Sequence, residues 1–401
     1  MFFHTKYEKH FILWLILLGT PLGGGGIDIY TPSLPILTTY FHTSHSLIKL
    51  TITTYLIGYG VGNFLMGALC DSFGRRKTLL GGLGAFVIFA LLAACAPNVS
   101  FLLVARFLQG IAATATSVVP KAIGSDYYLD PHTARKNNIY RSIAWSLGPV
   151  ISPFIGAYLQ HYIAWQASFI FLAIYAGILF AITYLFIHET AKHLSPFNGK
   201  AIYSNYQLIF SNRTFLAYAL AYMFGYAMIV TYGMLGPFFV QKTLGYSVVT
   251  YGHIALLMGL GCVVGTLINL TVIKRYDTHQ VIFMGTLLAF ISSIIFVALS
   301  IFIGKSLSVF VIFVFLELLL ICLIYPNFIL EYIRLFPKLA GSVNGAGAGL
   351  LAIGCAIITA IVSYMTADTT LPLALAYFVM TLLIGVSYFI RSALLSKTGL
   401  D

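Results

Sequence analysis

Three ionisable side chains stand inside long apolar runs of this sequence. Asp28 falls in PLGGGGIDIYTPSLP (21–35), Arg106 opens RFLQG (106–110), and Glu317 sits in FVFLELLLI (313–321). A charge in such a run is costly in a bilayer, so it is kept only with a partner or a task. A carboxyl group that is ionised in one state and protonated in another binds and releases a proton, and that is the chemistry these residue types allow. Four glycines in a row weaken a helix before Asp28, and Tyr30 and Pro32 follow it. On a helix, the neighbours of Asp28 three and four residues away are Gly24, Gly25, Thr31 and Pro32. They leave the carboxyl group without bulky cover and let the helix end bend. Small residues also simply allow close helix packing, and both uses stay open at this point. Glu317 shares its face with Phe313, Val314, Leu320 and Ile321. It reads as a protonated carboxyl bonded to a neighbouring helix, as a second proton carrier, or as the contact for a cationic ligand.

The elements that must position these groups follow from composition. The chain has 401 residues, 60% hydrophobic and only 8% charged, where ordinary soluble domains carry about 25% charged residues. Long unbroken apolar runs, rather than ~10-residue alternating segments, make it an all-α membrane protein and not a barrel. The net charge of +11 is scattered between the runs, which excludes a nucleic-acid partner. Five dispersed cysteines show no disulfide framework or metal spacing. The ten histidines are also dispersed, with no HExxH or other catalytic constellation, so no enzyme, metal or cofactor is expected. A channel is disfavoured, because Asp28 and Glu317 lie at different depths in non-equivalent runs. Lys6 and Lys9 before FILWLILLGT imitate a signal peptide, but the run continues through the glycines and reads as a retained first span.

Charge-free runs place spans at 11–32, 50–70, 78–96 and 101–120. The 47 residues from Ser142 to His188 contain no Asp, Glu, Lys or Arg, and a break at Gln160–Gln166 divides them into spans five and six. Six more follow at 214–240, 249–273, 280–303, 306–326, 341–365 and 370–390. The expectation is therefore twelve transmembrane helices in two six-helix bundles, 1–188 and 214–401, joined by a cytoplasmic linker at 189–213. Lysines and arginines fix the orientation. With the N-terminus inside, eighteen fall in inner segments (among them Arg75, Arg76, Lys77, Arg135, Lys136, Arg141, Lys192, Lys274, Arg275, Arg334, Lys338, Arg391 and Lys397). Only Lys49, Lys242 and Lys305 fall outside. Both termini face the cytoplasm on this count. Six plus six spans is a two-bundle transporter arrangement, faintly echoed by GALCDSFGRRK (67–77) against GTLINLTVIKR (265–275).

The loop GALCDSFGRRKTLL (67–80) combines Gly67 and Gly74, which permit a tight turn, with Asp71, Arg75, Arg76 and Lys77. Basic residues alone would have set topology. The added acid points to a conformational latch, with Asp71 against a neighbouring helix N-terminus. Gly67-x3-Asp71-x2-Gly74-Arg75-Arg76 resembles the signature loop of the major facilitator superfamily. Arg106-x2-Gln109-Gly110 resembles that superfamily's fourth-span motif. LGPVISPFIGAYL (147–159), with Gly148, Pro149, Pro153 and Gly156, resembles the fifth-span motif of its proton antiporters. IDIYTPSLPIL (27–37), IHETAKH (187–193) and NFILEYIRLFPKLAGSVNGAGAG (327–349) narrow the resemblance to drug:proton antiporters of the Bcr/CflA (bicyclomycin/chloramphenicol resistance) type.

The resemblance implies the major facilitator fold, with spans one and four as neighbours on a central cavity. Asp28 lies five residues before Ser33 and Arg106 five after Phe101, which puts both roughly 7–8 Å deep from one surface. They then form either a static pin between two helices or a proton site that pairs in one state and opens in another. The implied function is proton-coupled export of small organic molecules, drug or metabolite, by alternating access. The alternative is a carrier for a specific metabolite or siderophore, moving it in or out. Protons serve as coupling ion, the partners are a small-molecule substrate and the bilayer, and the protein works as a monomer. Its place is a bacterial inner membrane. Tyr30, Tyr55, Tyr218, Tyr222 and Tyr226 are candidates for lining the cavity.

Overall fold

The computed structural model describes residues 4–127, 130, 148–191, 194 and 198–396, and regular structure among them is helical throughout. The first half of the chain contains α1 (His4–Asp28), a short 3-10 turn (Thr31–Ser33), α2 (Leu34–Tyr40), α3 (His45–Phe73), α4 (Arg75–Ala94), α5 (Val99–Tyr127), α6 (148–162) and α7 (Gln166–Phe186). Then come α8 (Gly199–Ser211), α9 (Arg213–Pro237) with a π turn at Phe238–Thr243, α10 (Val248–Val272), α11 (Thr278–Ile303), α12 (Leu307–Arg334), α13 (Ala340–Ser363) and α14 (Leu371–Ser396). In hydrocarbon every backbone amide must be satisfied within its own segment, which leaves the helix as the solution for runs this apolar. Ser44, Asn212, Ser247 and Ser306 cap the next helices by accepting from backbone amides three residues on, and Asp277 with Gln280 forms a capping box on α11.

Among the described residues eleven spans are long and apolar enough to cross a membrane, and they match the expected runs in order. Residues 142–147 of the expected fifth span, together with Arg135, Lys136, Arg141, Lys192 and Lys397, lie outside the described residues. The break expected at Gln160–Gln166 is present, since α6 ends at 162 and α7 begins at Gln166. Two boundaries differ from the sequence expectation. The first span does not run evenly to residue 32. It is a helix to Asp28, a 3-10 turn that Pro32 opens, and a second short helix. The polar stretch 189–213 is not all linker, because thirteen of its residues form α8, with Tyr206 Oη donating to the Phe64 carbonyl of α3.

Helices α3, α4, α5 and α7 pack among themselves together with α1, and α9 to α14 do likewise. Close crossings join the two sets. Along α3 and α13, Gly60 meets Ile353 and Gly349 meets Phe64, and Thr53 and Thr359 share a hydrogen bond of 3.0 Å. Along α6 and α10, Gly252 meets Ala157 and Gly259 meets Val150. The ends of these helices that carry Lys49 are also bridged: Gln241 Nε2 donates to the Pro32 carbonyl at 2.9 Å.

Candidate functional site

Arg106 is fully buried about two turns into α5, and its guanidinium is caged from three sides. One nitrogen donates to the Gly26 carbonyl at 2.9 Å and another to Gln109 Oε1 at 2.6 Å. The rings of Tyr55 and Tyr30 flank it at 4.2 and 4.5 Å from their centroids. Tyr30 Oη bonds Thr51 at 2.8 Å and Tyr55 Oη donates to the Gly23 carbonyl at 2.8 Å, so both rings are pinned. The fourth-span motif is thus readable as geometry. Gln109 lies one turn after Arg106 to take its charge-assisted bond. Gly110 lets α5 come against the Tyr55 carbonyl of α3, where any larger residue would collide with backbone.

Asp28 is buried in the first half, at the last turn of α1, where Thr31 Oγ1 donates back to its carbonyl at 2.9 Å. Among the described residues no ion pair joins Asp28 to Arg106, although Arg106 is the cation whose charge acts on it. The pair expected from depth is therefore adjacent but open in this state. Arg106 takes the backbone of Gly26 instead, two residues before the acid. The glycines that were expected to uncover the carboxyl group are themselves covered. Gly24 faces Pro149 and Gly25 faces Ser152 of α6, while Gly26 lies on the Tyr55 hydroxyl.

The fifth-span motif explains this packing. Gly148 contacts Pro21, and Gly156 lies so close to the Ile29 carbonyl that a methyl group would overlap it. Gly148, Pro149, Ser152 and Gly156 thus run down α1 from Pro21 to Ile29, and Pro153 is buried within the same helix. The opposite side of α6 meets α10, so one helix couples the Asp28 turn to the other half of the chain. Across that boundary Thr31 touches Gly233, and Tyr226 and Tyr251 lie within electrostatic reach of Asp28.

The expected tyrosine cavity is divided. Tyr30 and Tyr55 hold Arg106, Tyr222 stacks on Tyr325 at 5.6 Å, and Tyr226 lies within electrostatic reach of Asp28. Tyr218 lies apart at the other end of α9, under the Arg391 guanidinium at 5.5 Å. Glu317 is also separate. It is fully buried in α12, where the Ser292 hydroxyl of α11 is the donor within its reach, and among the described residues neither carboxyl oxygen closes a hydrogen bond.

The loop after α3 keeps its charges but rearranges their roles. Gly74 turns with φ of 93°, a conformation that favours glycine. Asp71, expected at a helix N-terminus, instead pairs with Arg75 one turn on, at 2.9 Å, and is more than half exposed. The N-terminus of α4 is taken by Glu189, whose two oxygens accept from the Arg75 and Arg76 amides at 2.9 and 3.2 Å. The reason is reach: Asp71 points back along α3, away from those amides. Arg75 also pairs with Asp126 at 2.9 Å, and Arg76 donates to the Tyr184 carbonyl. Glu189 and Asp126 were not singled out from the sequence. Their only signals were an acid directly after the sixth span, within IHETAKH, and another at the end of the fourth. At the opposite end of α3, Lys49 is buried rather than in a loop. It donates to the Met365 carbonyl at 2.7 Å and lies over the Phe238 ring at 5.2 Å.

These motifs, in this helical order, match the sequence pattern of one family from residue 16 to residue 359. The chain belongs to the Major Facilitator Superfamily. It is 27% identical over 94% of its length, and 95% of the relative's, to an uncharacterized transporter of Rickettsia felis. It is 22% identical to a bicyclomycin resistance protein homolog of Haemophilus influenzae, which covers 98% of this chain and 99% of that one. The fold is that of a D-xylose-proton symporter, with a TM-score of 0.77 over 96% of this chain and 97% of the symporter at 16% identity. As a member of this superfamily it is a multi-pass membrane transporter and not an enzyme, and its relatives include proteins of antibiotic and multidrug resistance. The Bcr/CflA resemblance holds across the whole length.

Proposed function

We propose that this superfamily member is a proton-coupled exporter of small organic molecules in a bacterial inner membrane, working by alternating access. Twelve spans form two six-helix bundles, 1–188 and 214–401, with both termini in the cytoplasm. The observation that carries the reading is the setting of Asp28. It is a buried carboxyl at a break in α1, open from its neighbour Arg106, and facing the second half through Tyr226 and Tyr251. A group so placed exchanges its proton with water only when the halves part, which is what coupling requires.

The cycle then runs in two strokes. Protonation of Asp28 from outside loosens its claim on Arg106 and on a bound substrate, and the substrate leaves. Deprotonation to the cytoplasm restores the charge and a site for the next molecule. The cluster of Asp71, Arg75, Asp126 and Glu189 braces the cytoplasmic ends of α3, α4 and α7, and the Lys49 contact closes the outer end. The resistance-protein relatives favour lipophilic drugs and metabolites as cargo; import of a single metabolite is the competing direction.

Purified protein in liposomes under an imposed pH gradient, given a panel of lipophilic drugs and metabolites, tests this reading. Compound-driven proton movement that is lost in Asp28→Asn supports it. Uphill substrate movement that still follows the pH gradient in Asp28→Asn removes Asp28 as the carrier.

A further inference from the structure

The second half of the chain holds a polar assembly that the Asp28 site does not include. Among its described residues Glu317 is the one fully buried charged side chain, and both of its oxygens lack a hydrogen-bond partner. Ser292 Oγ of α11 is buried beside it, within reach of its carboxyl group but without a closed hydrogen bond to it. Tyr377 of α14 faces it, with its hydroxyl donating to the Met228 carbonyl of α9 at 3.2 Å. Near Tyr377 lie Tyr232 of α9 and Cys262 of α10, whose thiol points at the Leu318 carbonyl. Among the described residues no basic side chain acts on Glu317 from these helices. Ser292 is the donor beside it, and an ionised carboxylate without a counter-charge is costly in such surroundings.

The surroundings continue toward Asp28. Tyr232 stacks beside Tyr251 at 6.1 Å, with their buried hydroxyls near each other but not closed into a hydrogen bond. Tyr251 in turn lies beside Thr31, whose hydroxyl bonds the Asp28 carbonyl. Thr31, Tyr251, Tyr232 and Tyr377 therefore form a line of buried hydroxyls from the backbone turn that carries Asp28 to the surroundings of Glu317, crossing the boundary between the halves. A static core would fill these positions with apolar side chains at lower cost, because each unpartnered buried hydroxyl is destabilising.

We propose that Glu317 is a second proton-binding site, linked to Asp28 through this line of hydroxyls, so that transport is coupled to two carboxyl groups. The inference deepens the Asp28 reading and rests on it for the coupling, while proton binding at Glu317 is measurable alone. The hydroxyls hand a proton on only when small rotations bring them within hydrogen-bond distance, which the parting of the halves supplies.

Infrared difference spectra of the reconstituted protein between acid and alkaline pH read protonated carboxyl groups directly. Two buried carboxyl components are expected in the native chain, with Asp28→Asn lacking one and Glu317→Gln the other. Glu317→Asp keeps the second component at a shifted frequency, which separates a lost proton site from a lost fold. With chloramphenicol as the probe and a pH gradient of about one unit, each coupled proton contributes about tenfold to the limiting accumulation ratio. Glu317→Gln is expected to lower that ratio about tenfold, and Tyr232→Phe and Tyr251→Phe to slow its approach. A Glu317 component that never titrates, or an accumulation ratio unchanged in Glu317→Gln, overturns the proposal. If only Asp28→Asn proves neutral, the coupling role of Asp28 fails while the infrared result still decides Glu317.

Discussion

Replacing Lys49 with methionine tests whether a buried cation holds the outer end shut. Lys49 reaches from α3 to the end of α13, where its ammonium donates to the Met365 carbonyl at 2.7 Å and points at that of Ser363 at 3.5 Å. Those carbonyls close a helix C-terminus, where a positive charge is favoured. A charged hydrogen bond of this kind is worth about 1.5–3 kcal/mol, and the Phe238 ring adds about 0.5–1 kcal/mol. Part of this offsets the cost of burying the ammonium, which leaves a net preference for the closed end of about 1.5–3 kcal/mol. Methionine keeps the apolar stem and removes the charge, so the ratio of closed to open molecules should fall about 10- to 100-fold. Spin labels at Thr39→Cys and Tyr246→Cys, in a background without native cysteines, sit on exposed positions of the two halves at this end. Their distance distribution should gain a longer component in Lys49→Met. If the distribution stays the same or tightens, burial of the ammonium costs more than its contacts return, and Lys49 is no clasp.

Other substitutions probe the remaining contacts. Arg106→Lys loses the flat group between Tyr30 and Tyr55 and one of two hydrogen bonds, so it should lower stability by about 2–4 kcal/mol and abolish transport. A thermal midpoint equal to that of the native protein would contradict the cage. Gly156→Ala places a methyl on the Ile29 carbonyl, which cannot turn aside, and should cost about 1–3 kcal/mol in the same melting assay. Gly67→Ala meets nothing within 4 Å and should melt at or above the native temperature. A transport defect in that stable variant would locate the need for Gly67 in the opposite conformation. Glu189→Ala removes the acceptor for two amides at the start of α4, with an expected loss of about 0.5–2 kcal/mol that shrinks in high salt.

Span order was legible because the charges are so few that nearly all of them mark boundaries. The depth of Asp28 and Arg106 was legible for the same reason: counting along a helix fixes height. What counting leaves open is rotation about the axis. A helix apolar on every side has no polar face to set its phase. Hence the face of Asp28 holding Gly24 and Gly25 was open to two readings, and only the placement of α6 decides between them. Lys49 was assigned to a loop because the apolar run seemed to begin after it, but Ser44 caps the helix a turn earlier and carries Lys49 inside. Glu189 was invisible for another reason. It acts on amides more than a hundred residues away, and nothing local announces a helix cap supplied from another span.

The glycines of α1 and α6 draw these threads together. At Gly26, Gly156 and Gly110, backbone meets side chain or backbone so closely that helices α1, α3, α5 and α6 form one block around Arg106. Such a block resists small adjustments, because at Gly156 and Gly110 the approach is set by backbone carbonyls that cannot rotate away. Movement must then occur between blocks, at surfaces where side chains rather than carbonyls meet: Gly252 against Ala157, Gly60 against Ile353, Thr31 against Gly233. Asp28 is attached to the rigid block yet faces the movable surface. On the proposed coupling, a proton arriving there would alter the charge felt at the boundary without disturbing the frame that holds it, and Asp28 would bias the balance between two arrangements of the same helices.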